Sequence, residues 1–375
     1  MAGGNGRAIT PLISSAGGSS STLQTALDLR TVRGDLWHVE GPGDVRCVAC
    51  GHRCLIREGR RGVCKVRFND AGVLKVPHGY VVALQCDPIE KKPFFHVLPG
   101  ADALTFGMLG CDFHCGYCQN WLTSQALRDG AAGSTPTPIT AAAIVDLASR
   151  RGAAAIVSSY NEPLITAEWA TEVFRLGRPH GFRTGMVSNG NATPEVLDYI
   201  RPWTDAFKID LKAIDERPYR TLGGTLQHVL DSIRLAFERG FWVEIVTLLV
   251  PGFNDGNDAL RRMADAIARV SPAIPWHVTA FHQDYRMTEP RNTTADDLMQ
   301  ACEAGRSAGL KFVYAGNLPG RVGRWEHTWC PDCGALLVER FGYSILQQRI
   351  GAAGDCPGCG SHIPGIWGRE ARGRW

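Results

Sequence analysis

This 375-residue chain predicts an α/β fold built on a full or partial TIM-type barrel. Three observations predict it. Strand-length apolar runs recur about seven times through the middle of the chain. Stretches with helical periodicity separate them. Each run ends in a polar or glycine-rich loop. Repeated strand–helix units favour a parallel sheet with right-handed crossovers, and about seven of them favour a barrel. A flat doubly wound sheet is the alternative, but no GxGxxG opens the first unit.

The expected strands are 103–109, 154–158, 183–188, 205–211, 242–249, 276–281 and 311–314. The expected helices are 139–151, 163–177, 226–239, 256–270 and 294–308. In 226–239, for example, Leu226, Val229, Leu230, Ile233 and Phe237 fall on one face. The strand ends read GCDFHCGYCQN, SYNEP, SNGN, KIDLK, VPGFND, FHQDY and AGN. In a barrel these loops converge on one rim, where reactive groups belong. Around this region, 101–320, the chain divides into a tail (1–25), an N-terminal cysteine module (45–70), a connector (71–100) and a C-terminal module (325–368).

Lys and Arg number 40 against 37 Asp and Glu, a net charge of +3. That balance, without an aromatic-plus-basic pattern, argues against a nucleic-acid partner. No apolar run approaches the roughly 18–20 residues of a membrane helix. The Gly/Ser/Ala-rich tail lacks the apolar core of a signal peptide, so it is expected to be disordered and the protein cytoplasmic. Cysteines in that compartment are read for metals before disulfides.

Eleven of the 13 cysteines form three groups; Cys86 and Cys302 stand alone as expected small core residues. Cys111, Cys115 and Cys118 follow the first strand of the series as C-x3-C-x2-C, flanked by Gly110 and Gly116, which ease a tight loop. Three thiolates suit three corners of a [4Fe–4S] cube and leave one iron open. A structural zinc would need a fourth ligand, such as His114. Cys330, Cys333, Cys356 and Cys359 form two C-P-x-C-G knuckles, a strong zinc-ribbon signal; an Fe–S site is the alternative. Cys47, Cys50, Cys54 and Cys64 offer four thiolates, with zinc the first expectation and an auxiliary cluster the second. Arg53, Arg57, Arg60 and Arg61 beside them form a basic patch, read as a solvated face or a docking surface for an acidic or redox partner.

The loop CDFHCGYC resembles the cysteine signature of radical S-adenosylmethionine (SAM) enzymes. Together with DPIEKKPFFHVLPG, YNEP, SNG, KIDLK, VPGFND and AGN, it makes residues 45–368 similar to the radical SAM enzyme of the AmmeMemoRadiSam system. That family is related to the activases of glycyl-radical enzymes such as pyruvate formate-lyase. The resemblance implies a [4Fe–4S] cluster on the Cys111 triplet and SAM on its open iron. It also implies reductive cleavage to a 5′-deoxyadenosyl radical, and hydrogen abstraction from an unidentified, small-molecule substrate. The alternatives are a glycyl-radical activase acting on a partner protein, or a non-catalytic metal scaffold. An electron donor such as flavodoxin or ferredoxin is implied, and Memo-like and AMMECR-like proteins are candidate partners.

For SAM the resemblance points to Tyr117, Asn161, Glu162, Ser188, Asn189 and Asp210. Glu162, in place of the commoner GGE form, would face the ammonium, or else simply cap the helix begun by Pro163. Ser188 and Asn189 lie in an NG turn signal. Asp210 and Lys212 share one strand face and line the site, or form a salt-bridged strand end. His282 is a substrate contact or a structural histidine. In the connector, Asp87, Glu90 and Lys91, with Lys92 and His96, are placed near substrate, against the reading of a surface charge run. Flanking prolines make that connector extended rather than helical.

Overall fold

The computed structural model describes residues 20–369. Its centre is an eight-stranded sheet. The strands are β1 (Ala83–Pro88), β2 (Asp102–Gly107), β3 (Ala155–Ser158), β4 (Arg183–Ser188), β5 (Ala206–Asp210), β6 (Trp242–Leu249), β7 (Trp276–Ala280) and β8 (Val313–Gly316). They lie side by side in chain order, β1 antiparallel to β2 and all later neighbours parallel. The connecting helices are α1 (Ala141–Arg150), α2 (Ala167–Gly177), α3 (Pro194–Ile200), α4 (Glu216–Leu222), α5 (Leu226–Glu238), α6 (Asn257–Val270) and α7 (Ala295–Ser307). Edge strands β1 and β8 are not paired with each other, so the sheet is open rather than a closed barrel. One cavity nevertheless touches the C-terminal ends of β4 to β8 and the loops that follow β2 and β3, which requires the sheet to curve.

Strand periodicity explains the two faces. Outward residues such as Leu104, Phe106, Phe207, Ile209, Ile245 and Val278 pack with the helices in the main core. Inward residues Ala103, Val157, Ala206 and Trp242 pack instead with Ile89, Phe94, Val97 and Ile366. The inner face is thus covered at one end by the connector and by the end of the C-terminal module. At the other end it stays polar, with Lys208, Asp210 and His277 turned into the cavity.

Some expectations change. The connector contains a 3₁₀ turn, Ile89–Lys91, where an extended chain was expected. Pro88 and Pro93 exclude an α-helix, but one turn closed by Lys92 N–H on the Ile89 carbonyl (2.9 Å) fits between them. Of the expected disordered tail, residues 1–19 lie outside the described residues. From Ser20 the chain is helical (Ser20–Asp28), with Leu27 buried in the core. The small N-terminal sheets draw in residues on both sides of 45–70: Thr31–Arg33 pairs with Val73–Pro77, and Trp37–Val39 with Val45–Cys47. No helix among the described residues is long and apolar enough to cross a membrane.

One carboxylate joins these parts. Glu244, inward on β6 and fully buried, accepts the backbone N–H groups of Phe95 and His96 (both 3.0 Å), the Trp242 indole N–H (2.9 Å) and a hydrogen bond from His277 (2.7 Å). His96 in turn meets the Tyr314 hydroxyl (2.6 Å) and the Pro364 carbonyl (2.7 Å). Arg340 of the C-terminal module donates to the Phe95 carbonyl (2.9 Å) and sits over its ring (4.3 Å). Glu244→Ala strands these donors in the interior and is expected to cost about 3–5 kcal/mol. Glu244→Gln, which keeps a carbonyl acceptor, should lose less. Urea midpoints of the two variants check this, and an unchanged midpoint for the alanine variant refutes it.

Candidate active site

The cysteine triplet lies in the loop after β2, at the mouth of a cavity of about 750 Å³. Gly110 opens the loop at φ +96°, where a Cβ would meet Val66 at 2.8 Å and the Cys64 carbonyl at 3.1 Å. At Gly116, by contrast, nothing lies within 4 Å of a Cβ and φ is not positive, so the ease expected of a glycine there is not used. The loop is fastened by His114 N–H on the Leu222 carbonyl (2.9 Å) and by Ser124 Oγ against Cys118 Sγ (3.2 Å). Gly224 leaves room for the buried Phe113 ring: a Cβ there would fall 2.2 Å from it.

Cys111, Cys115 and Cys118 all face the cavity. Burial pushes the Cys115 thiol up to about 12, against the nearby Lys212 charge, and the Cys111 thiol well above its ordinary value. Bound metal would have to supply the positive charge that makes these groups thiolates. Their three sulfurs are too widely spread for one ion. Among the described residues, only Cys330, Cys333, Cys356 and Cys359 bring such ligand atoms within 4.8 Å of one another. At about 2.3 Å per Zn–S bond, no two thiolates of one zinc can be more than about 4.6 Å apart. The donor set therefore fits a multi-iron cluster and not a single zinc completed by His114, which is exposed and stacks on Gly223.

Behind the triplet lies a buried polar network. Asp112, inaccessible to solvent, accepts from Asn189 Nδ2 (2.7 Å) and Asn191 Nδ2 (2.8 Å). Glu162 accepts from Ser188 Oγ (2.7 Å) and from the backbone N–H of Asn189 (2.8 Å) and Leu164 (3.1 Å). Burial, reinforced by the Asp112 charge, pushes the Glu162 carboxyl up to about 8. Glu162 thus does cap the turn begun by Pro163, and it also faces the cavity with Ser188 and Asn189. Asn161 lines the cavity while its side-chain oxygen accepts the Met108 N–H (3.0 Å).

The remaining expected residues separate. Asp210 lies between Lys208 and Lys212 (2.9 Å to the latter), and these lysines hold its carboxyl down to about 2 against burial. The salt-bridged strand end is therefore present, and all three groups line the cavity. Lys212 sits 6.0 Å above the Tyr117 ring, which packs edge-on against Phe253. His282 stands exposed at the rim, 3.1 Å from Gln119 Nε2. Glu90 and Lys91 line the cavity, whereas Asp87 pairs with Lys91 (3.2 Å) outside the lining, and His96 is structural. Sequence reasoning overlooked Asp112, Asn191, Lys208 and the role of Lys92. Lys208 was findable, two residues before Asp210 on the same strand face. Lys92 is buried, donates to Tyr160 Oη (2.8 Å), and is brought down to about 8 by burial against Asp87. Tyr160 itself has φ +67°, a strained conformation for a tyrosine next to Asn161 and Glu162.

Comparison with known proteins decides the family. The model of the radical SAM superfamily matches residues 106–264, from the end of β2 into α6. An uncharacterized protein of Methanocaldococcus jannaschii is 38% identical over 326 residues, covering 85% of this chain and 95% of that protein. The chain belongs to the radical SAM superfamily. Pyruvate formate-lyase 1-activating enzyme of Escherichia coli K12 is 25% identical over 202 residues, 51% of this chain and 80% of the enzyme. Among solved structures, a radical SAM methyltransferase from Sphaerobacter thermophilus aligns with a TM-score of 0.45 at 17% identity, covering 64% of this chain and 71% of that one. Radical SAM proteins are enzymes that use an iron–sulfur cluster and SAM, which agrees with the cluster-type spacing of the triplet.

Glu90 generates a pH prediction. Its Oε1 accepts the Gly100 N–H (2.8 Å), its Oε2 has no partner, and burial raises its carboxyl from about 4.5 to about 7. The folded chain therefore holds this proton after the unfolded chain has released it, so stability falls as pH rises from about 4.5 to about 7. Glu90→Gln removes that loss. Relative to the parent, the variant should gain on the order of 2–3 kcal/mol across the interval. Urea midpoints across pH check it, and a difference that does not change with pH refutes it.

Proposed function

We propose that this protein is a radical SAM enzyme of the AmmeMemoRadiSam type that takes a hydrogen atom from a small-molecule substrate. The observation that carries the proposal is the placement of Cys111, Cys115 and Cys118 at one cavity of about 750 Å³. That volume lies within the roughly 300–1,000 Å³ of small-molecule sites. Cys111, Cys115 and Cys118 would hold a [4Fe–4S] cluster, which, once reduced by an electron donor, would supply one electron to cleave the sulfonium of bound SAM and so provide for hydrogen abstraction.

The chain's own residues bind and orient. Glu162, already held by Ser188 and the Asn189 amide, offers its carboxylate to the SAM ammonium; an incoming cation favours the ionised form and draws off the proton that burial retains. Asp210, kept ionised by Lys208 and Lys212, offers a second fixed charge pattern for the polar parts of SAM. Tyr117 lines the cavity and is held edge-on by Phe253. Glu90, Lys91 and His282 face the same cavity at positions suited to substrate. The C-terminal quartet, with Cys330–Cys359 and Cys333–Cys356 sulfurs 3.7 and 3.6 Å apart, suits one structural zinc. An iron–sulfur or flavin protein is the proposed electron donor, and Memo-like and AMMECR-like proteins the proposed pathway partners, in the cytoplasm.

The activase reading is the second one, favoured by the 25% identity to pyruvate formate-lyase 1-activating enzyme. Two measurements test the proposal on anaerobically reconstituted protein. Reduced protein should form 5′-deoxyadenosine from SAM, and replacing Cys111, Cys115 and Cys118 by Ala should abolish it. Glu162→Gln should raise the Kd for SAM about tenfold. With deuterated cell extract, label should enter deoxyadenosine from the small-molecule filtrate. Label from the macromolecular fraction alone would support the activase, and no SAM cleavage by folded protein would refute both.

A further inference from the structure

We infer that Cys47, Cys50, Cys54 and Cys64 hold a second iron–sulfur cluster, docked directly against the loop of the first cysteine triplet. The sequence offers four thiols in this quartet, with one C-x2-C pair, and four in the C-terminal one, with two. The structure separates them. At the C-terminal quartet all four sulfurs lie within 4.8 Å of one another; at the N-terminal quartet no three do. A single zinc cannot span thiolates more than about 4.6 Å apart, so the N-terminal sulfurs are spread for a larger object. Four cysteine thiolates, three of them in one short run and one remote, are the usual donor set of a biological iron–sulfur cluster.

The surroundings suit such an object. Cys47, Cys50 and Cys64 are buried, and Cys54 is half-buried. Val63 N–H points at Cys54 Sγ (3.4 Å), and the buried Arg67 guanidinium lies 3.7 Å from Cys47 Sγ. Fixed N–H groups and a cation stabilise the negative charge of a cluster with four thiolates. Arg67 is itself held by Glu168 and by the Ile165 carbonyl (2.8 Å).

The quartet is built into the catalytic centre rather than appended to it. Gly51 N–H donates to the Asn191 carbonyl (2.8 Å), and Thr193 Oγ1 to the Val48 carbonyl (2.5 Å). A Cβ at Gly51 would fall 2.2 Å from Asn191 Oδ1, so only glycine permits this approach. Asn191 also holds Asp112, the residue after Cys111, and His52 stands 4.0 Å from the same carboxylate. On the other side, the Cys64 carbonyl lies 3.1 Å from where a Cβ on Gly110, the residue before Cys111, would stand.

The test uses the full chain with Cys111, Cys115 and Cys118 replaced by Ala, made and reconstituted without oxygen. Iron, acid-labile sulfide and zinc are counted, and the reduced protein is examined by electron paramagnetic resonance. About two to four irons with matching sulfide should persist, beside about one zinc. Adding Cys54→Ala and Cys64→Ala should lower the iron at least tenfold and leave the zinc. Iron-free protein with about two zincs, or iron that survives the added substitutions, would overturn the inference. Should that variant fail to fold, Cys54→Ser alone in the parent chain should remove about half of the iron and one of two Mössbauer components; unchanged iron would overturn it. None of these readouts depends on SAM cleavage, so failure of the proposed activity and failure of this inference are separable.

Discussion

The buried Glu244 carboxylate is the tie on which the arrangement depends. An open curved sheet has a concave face that helices cannot cover, because they already occupy the convex side. Here the connector covers it, and a connector brings backbone N–H groups that need acceptors in a place without water. Glu244 accepts two of them and, through Trp242 and His277, ties them to β6 and β7. The C-terminal module closes the same end through Arg340 and the return of Ile366, whose N–H reaches the His96 carbonyl (2.7 Å). That end is packed shut, and the polar cavity is left at the other.

The open end follows a different rule. Its thiols and carboxylates are buried enough to resist ionisation, as Cys115 and Glu162 show. Each such group is poised to be stabilised by a cation; under the proposed function these are iron for the thiols and an ammonium for Glu162. The lysines around Asp210 satisfy one carboxylate in advance, and the two asparagines on Asp112 satisfy another. Ionisable groups left wanting a counter-charge beside groups already provided with one are typical of binding sites.

Much of this was legible in the chain. The seven parallel strands of the core lie where apolar runs were read, because strands buried on both faces need near-continuous hydrophobic stretches. The cysteine triplet and the strand-end residues Glu162, Ser188, Asn189, Asp210 and Lys212 meet at one cavity, as a rim of convergent loops requires. Less legible were α3 and α4, each seven residues long and too short for a clear helical period. The edge strand β1 was hidden inside the connector, since its half-buried residues carry no apolar alternation. The structural part played by His96 was hidden as well, because its partners Tyr314 and Pro364 lie 218 and 268 residues away.

The sequence by itself determined the chemistry on offer: three thiols on one tight loop, carboxylates and lysines at strand ends, and two further cysteine quartets. These are local features, set by spacing and by the two-residue period of a strand. Only the tertiary structure decided how far apart the sulfurs stand. Of the two quartets, the C-terminal one brings all four sulfurs within 4.8 Å of one another and the N-terminal one does not. Only the fold, likewise, made Asp112 the buried centre of a network, since its partners Asn189 and Asn191 stand 77 and 79 residues further on. Distances between thiols and the burial of a carboxylate depend on how remote segments dock, and spacing along the chain carries no measure of that.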